Sequence, residues 1–162
     1  MSAEIKSRPL TATSFAPFGD VIEARGQADK IINQGKCGRY HDLAGMDFGA
    51  DGRAGVSIFD AEARSFPYQL DMVERHPDGS QAFLPMTEHP FLVIVAADDN
   101  GKPGMPLAFK TKPGQGINIA KNTWHGVLTP LHDPGRFAVI DRIGETPNLE
   151  EYWFLEPYVV TS

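Results

Sequence analysis

The chain has 162 residues, 41% of them hydrophobic and 22% charged, a balance that suits one globular domain able to bury its core without a metal or disulfide staple. Its formal charge is −6, and no cluster of Lys and Arg is dense enough to neutralise a phosphate backbone, which sets nucleic-acid binding aside. Its longest apolar run, Phe91 to Ala97, is far shorter than the roughly 20 residues needed to span a bilayer. The net charge still leaves room for a local cationic pocket that holds a small anion. The single cysteine, Cys37, allows no intrachain disulfide and fits a reducing cytoplasm. It lies in the Gly-rich stretch Gly35-Lys36-Cys37-Gly38 and reads as an incidental loop thiol. The segment after Met1 lacks the apolar core of a signal peptide, so a cytoplasmic protein is expected.

Short apolar runs alternate with evenly spread turn formers, the rhythm of a barrel or sandwich of short strands. A helical turn starts near Thr13 and leads into a strand at Val21-Ile22-Glu23. Ile31-Ile32-Asn33 and Ser57-Ile58-Phe59 follow. Leu70 to His76 and Gln81 to Met86 read as a hairpin closed by Pro77-Asp78-Gly79-Ser80, because Pro presets φ and Gly accepts positive φ. Phe91 to Ala97 reads as a buried central strand. Leu107 to Lys110, Gly116 to Ile119 and Phe137 to Arg142 complete the strands. Asn148 to Leu155 is the one segment with a helical pattern near the C-terminus. No repeat or linker interrupts the chain, so residues 1–162 are expected to form a single domain.

Two clusters could carry chemistry. In the first, strand alternation puts Met72, Glu74 and His76 on one face and Arg75 on the other. The expected hairpin returns Gln81 and Phe83 beside them. Buried polar groups cost about 1–3 kcal/mol each if unsatisfied, so such a set needs solvent, a network or a ligand. The exposed face of an edge hairpin and a ligand-lined interior both fit. The second cluster is Pro113-Gly114-Gln115-Gly116-Ile117-Asn118, then Asn122-Thr123-Trp124-His125. Here a glycine-rich turn precedes a histidine, which reads either as a hydrogen-bonded residue packed on Trp124 or as a reactive one.

Together these clusters resemble the two motifs of the cupin family, whose slots are filled here by Glu74, His76, Gln81 and His125. The resemblance implies an all-β fold: an antiparallel jelly-roll β-barrel with a few short helices and these four side chains inside. The usual three-histidine, one-glutamate metal set has become two histidines, one glutamate and one glutamine. A neutral amide is a poorer ligand than a carboxylate, so a divalent metal (Ni, Mn or Zn) would bind weakly at Glu74, His76, Gln81 and His125. A metal-free acid/base site is the alternative.

A longer resemblance, spanning nearly the whole chain, is to the ureidoglycolate lyase family. Ile32-Asn33, Arg39 to Ala44 and Ser57-Ile58-Phe59 carry it first. Glu74 to Met86, Gly114 to Asn118, Trp124-His125 and Val139 to Arg142 follow in order. Many members carry a Tyr-His pair and a double His around the second motif. This chain has Ile119-Ala120 and His125-Gly126, which concentrates the chemistry on His76 and His125.

The resemblance implies a cytoplasmic homodimer that splits ureidoglycolate into glyoxylate and urea. Breaking the C–N bond of that carbinolamide needs a base for the hydroxyl proton and an acid for the departing nitrogen. His125 or His76 is expected as base and Glu74 as the second acid/base group or the orienter of His76. Gln81, Gln115 and Asn118 are expected to hydrogen-bond the ureido group or glyoxylate. Arg39, Lys121 and Arg142 are the candidate cations for the carboxylate, and Phe83 and Trp124 the candidate walls. Arg75 ranks lower because it should face away. The rival readings are a metal-dependent cupin enzyme of another kind and a non-catalytic module that binds a small carboxylate.

Overall fold

A computed structural model describes residues 2–162. In chain order the elements are β1 (Glu4–Lys6), β2 (Arg8–Pro9), α1 (Ala12–Phe15), β3 (Gly19–Ile22), β4 (Lys30–Ile32) and β5 (Cys37–Arg39). Then come β6 (Arg53–Ala61), β7 (Tyr68–Arg75), β8 (Gln81–Pro85), β9 (Phe91–Ala96), β10 (Asp98–Asp99) and β11 (Lys102–Pro103). The last are β12 (Leu107–Lys110), β13 (Gly116–Ile119), β14 (Trp124–His125), β15 (Thr129–Pro130), β16 (Gly135–Ile143) and β17 (Glu150–Thr161).

Two sheets form the barrel. One has the order β1-β17-β7-β14-β9-β12-β2, with β15 added on β9; the other has the order β3-β13-β8-β16-β6. The pairings are antiparallel except β1 with β17 and β12 with β2. The result is a cupin-like β-barrel, the jelly roll that the cupin resemblance implies. Among the described residues the helical content is the single turn α1. Thr11 caps it, with its hydroxyl accepting from Ser14 N while the Ser14 side chain reaches back to the Thr11 backbone. Among the described residues no helix is long and apolar enough to cross a membrane.

Alternation sorts the side chains into two cores. Phe83, Val93, Val95, Ile117, Ile119, Phe137 and Val139 point between the sheets, together with Leu10, Phe15 and Phe18. Leu92, Ile94, Ala96, Val73 and Trp124 point to the other side of the larger sheet. There they are covered by Ile5, Tyr152, Phe154 and Val160 from the two ends of the chain. Strand β9 is therefore buried on both faces, which is why its sequence is an unbroken apolar run.

Two expectations are corrected. Residues Asn148 to Leu155 are not helical; from Glu150 they form the start of β17, a twelve-residue strand. Its Tyr152 and Phe154 pack inward, while Trp153 and Leu155 stay exposed. The segments Leu70 to His76 and Gln81 to Met86 do not pair as a hairpin either. Strand β7 pairs with β14 and β17, whereas β8 pairs with β13 and β16. The Pro77–Ser80 turn is a corner where the chain passes from one sheet to the other, and His76 lies on this corner, just past the end of β7.

Candidate active site

The site begins with a cross-strand triplet. His125 on β14 stands opposite Glu74 of β7 on one side and Val95 of β9 on the other. Directly opposed residues share a face of the sheet. Val95 belongs to the inter-sheet core, so Glu74 and His125 face the barrel interior. His76 joins them from the corner, with its ring centroid 5.2 Å from that of His125 and the planes tilted by 41°. Ligating atoms of Glu74, His76 and His125 all lie within 4.8 Å of one another.

The corner is held in place by polar contacts. Asn148 accepts at its carbonyl from His76 Nδ1 at 2.8 Å and at its side-chain oxygen from Asp78 N at 2.7 Å. Ser80, buried, donates its amide to the Asp47 carbonyl and accepts from Asp47 N at Oγ, both at 2.8 Å. Asn122 N donates to the His76 carbonyl at 2.8 Å. The His125 ring is oriented in the same way as that of His76, with Nδ1 donating to the Gly126 carbonyl at 2.9 Å. A carbonyl only accepts, so Nδ1 carries a proton in each ring, and a ring with one proton keeps its lone pair on Nε2. Both Nε2 atoms are buried and find no hydrogen-bond partner among the described residues, and neither does Gln81 Oε1.

Burial pushes the His125 pKa down to about 4; the neighbouring charge of His76 adds to this and the Gly126 carbonyl works against it. Burial raises the Glu74 pKa, His76 lowers it and Glu151, opposite it on β17, raises it. In metal-free protein between pH 6.5 and 4, the unfolded chain therefore binds a proton at residue 125 that the folded chain refuses. Acidification through that window should cost up to about 3 kcal/mol, partly offset by Glu74, whose raised pKa favours the folded state as pH falls. Guanidinium unfolding at a series of pH values checks this. The slope should flatten in His125→Gln, and an unchanged slope would refute the assignment.

The opposite face of the same strands is a clamp. Arg75 and Trp124, each one residue along from the triplet, point outward with the guanidinium carbon 4.2 Å from the indole centroid. Arg75 bonds Asp98 at 2.8 Å and Glu150 at 2.7 Å, and Trp124 Nε1 donates to the same Asp98 oxygen at 3.0 Å. Both carboxylates are about half exposed, which weakens the pairs. Arg75→Met should cost about 1–2 kcal/mol in thermal unfolding, with most of the loss from the stacked cation. As the alternation predicts, Arg75 faces away from Glu74.

The other residues singled out from sequence scatter. Phe83 faces the interior but packs on Phe59 at 6.0 Å within the core. Trp124 lies on the outer face, so it backs the site rather than walling it. Asn118 points to the outside of the smaller sheet, donating to Asp20 Oδ2 at 3.2 Å and to the Gly45 carbonyl at 3.1 Å. Gln115 is spent on a turn, where Nε2 donates to the Leu10 carbonyl at 3.2 Å and Oε1 accepts from Lys112 N at 2.8 Å. Lys121 pairs with Asp47 at 3.4 Å. Arg142 donates to the Phe48 carbonyl and to Thr146 Oγ1, both at 2.9 Å. Arg39 is exposed on the β4–β5 ribbon. None of these cations joins the triplet. Two residues escaped the sequence reading. One is Asn148, which meets His76 through its backbone carbonyl, a contact that gives no signal in the sequence. The other is Asp141, which sits opposite Gln81 and accepts from its Nε2 at 3.1 Å. Alternation with the buried Val139 was the available clue to Asp141.

An acid, two oriented imidazoles with free lone pairs and an amide oxygen can together bind a cation, or take and return a proton. Comparison with known proteins agrees with this chemistry. A family model described as ureidoglycolate lyase matches residues 2–161. A ureidoglycolate lyase of Rhodobacter capsulatus is 60% identical over 94% of each chain. Rhizobium meliloti ureidoglycolate lyase 2 is 56% identical over 94% of each chain. A ureidoglycolate lyase of Chelativorans is 54% identical over 97% of this chain and 96% of the relative. With its barrel, its inward triplet and near-full-length kinship, the chain belongs to the ureidoglycolate lyase family.

Proposed function

We propose that this chain cleaves ureidoglycolate into glyoxylate and urea as one step of purine breakdown. The observation that carries the reading is the closed group of Glu74, His76 and His125, with both Nε2 lone pairs aimed at shared buried space. In the reaction the substrate hydroxyl loses its proton, its oxygen forms the carbonyl of glyoxylate, and the C–N electron pair leaves with urea nitrogen, which gains a proton. No water is consumed.

Glu74 is the group that moves the proton. Burial raises its pKa above the ordinary carboxylate value, which makes it a better proton acceptor than a solvated carboxylate. His125 is too weakly basic for that task, with its pKa near 4, but its lone pair stays free at neutral pH. Two such imidazoles and a carboxylate also suit a divalent ion of the Ni, Mn or Zn class, for which Glu74 would serve as a ligand beside His76 and His125; its proton-moving role belongs to the metal-free site. When bound, the ion would supply Lewis acidity and a positive charge for the substrate carboxylate. That fits the absence of any arginine or lysine from the triplet. Gln81 faces the ureido group. The same reading carries a cytoplasmic homodimer; exposed Val56 and Ile58 on β6 give a second copy an apolar surface.

The test is glyoxylate and urea release from ureidoglycolate, with and without chelator. Equimolar release above the uncatalysed rate is expected, with chelation lowering it at least tenfold. No release, or ligand binding without turnover, would defeat the lyase reading.

A further inference from the structure

Gln81 is held differently from the two imidazoles. Its side chain is 7% exposed, and it lies at the first position of β8, on the face that Phe83 turns to the inter-sheet core. Asp141 stands opposite it on β16, on the face of Val139, and accepts from Gln81 Nε2 at 3.1 Å. The two ends of an amide are nearly the same size, so packing alone cannot choose between them. A carboxylate can only accept, so it draws the NH2 end and leaves Oε1 facing elsewhere, buried and without a partner among the described residues.

We infer that Asp141 is a positioning residue that fixes the Gln81 amide so that Oε1 receives an N–H of the substrate's ureido group, making the site selective for ligands with a free amide NH2. The inference rests on the lyase reading and deepens it. The ureido group offers three N–H hydrogens, and the lining at this end of the barrel consists of acceptors. A polar group built to bond a ligand N–H rejects ligands that lack it, because it is then left buried and unpaired. As a neutral amide, Oε1 is a poor metal ligand beside two imidazoles and a carboxylate, which leaves it for the substrate. The bond from Nε2 to Asp141 also polarises the amide and strengthens Oε1 as an acceptor.

The two products separate this role from a structural one, since urea carries N–H donors and glyoxylate carries none. Dissociation constants for both are measured by NMR titration. Asp141→Leu should raise the urea constant at least tenfold and leave that of glyoxylate within twofold. Gln81→Glu alone should lose urea binding similarly, because two carboxylates then face each other. The double variant Gln81→Glu/Asp141→Asn should return the urea constant to within threefold of wild type, because the introduced amide now donates to the introduced carboxylate. The inference is overturned by an unchanged urea constant in Asp141→Leu, or by equal losses for both products. It is also overturned if Mn2+ affinity falls tenfold while urea binding holds. Turnover of ureidoglycolate by wild type is measured alongside; its absence would sink the lyase reading, while the urea titrations still report on Asp141.

Discussion

Replacing His125 with alanine is expected to lower kcat at least tenfold while the barrel stays folded. The change deletes a buried lone pair that the Gly126 carbonyl aims into the site, and no neighbouring group can take its place. His76 is fixed from the corner by Asn148 and cannot swing across. The structural cost is smaller. One backbone hydrogen bond and one ring's packing are lost, at about 2 kcal/mol, in a domain where thermal midpoints move by about 2–4 °C per kcal/mol. Steady-state kinetics with a melting curve on the same sample separate the two effects. An alanine variant that keeps wild-type kcat would remove His125 from the chemistry.

The largest stability effect is expected at Gly19. A Cβ there would meet the Asn118 carbonyl oxygen at 1.9 Å, and φ is +155°. The carbonyl cannot yield, because it belongs to the β3–β13 ladder, where Gly19 opposes Ile119 and Asp20 opposes Asn118. Strand β13 is also the neighbour of β8, which carries Gln81. Gly19→Ala should therefore cost about 4 kcal/mol or more and lower the midpoint by roughly 10 °C. Gly26→Ala is the control: its φ is +69° but nothing lies within 4 Å, so only about 1 kcal/mol should be lost. Equal melting of the two variants would show that the close approach at Gly19 is not rigid.

Strand identity was legible wherever one face alone was buried or both were. Phe91 to Ala96 is buried throughout and announced itself as a continuous apolar run. Gly116 to Ile119 and Leu107 to Lys110 were equally plain. The C-terminal strand was not, because Trp153 and Leu155 are apolar but exposed, so the run Tyr152 to Leu155 shows no apolar/polar alternation although only Tyr152 and Phe154 are packed. The Pro77–Ser80 segment was read correctly as a turn but wrongly as the close of a hairpin. Turn chemistry does not choose a pairing partner, however, and here the two flanking strands joined different sheets. Glu74, His76 and His125, three of the four slots named through the cupin resemblance, lie together in the barrel. The misplacements of Asn118 and Trp124 share one cause. Each is one residue from an inward-facing neighbour, and a one-residue step in a strand reverses the face.

The passage of β7 and β8 into separate sheets carries a consequence for how the molecule is made. Glu74 meets His125 and Glu151 only after segments distant along the chain have found their register, and long-range pairing of this kind is slow because loop-closure entropy is lost before contacts compensate for it. No local fragment holds the imidazole pair, because β7 and β14 are far apart along the chain. Metal or product binding during refolding should therefore appear late, as a chemical signature that β7 and β14 have found their register.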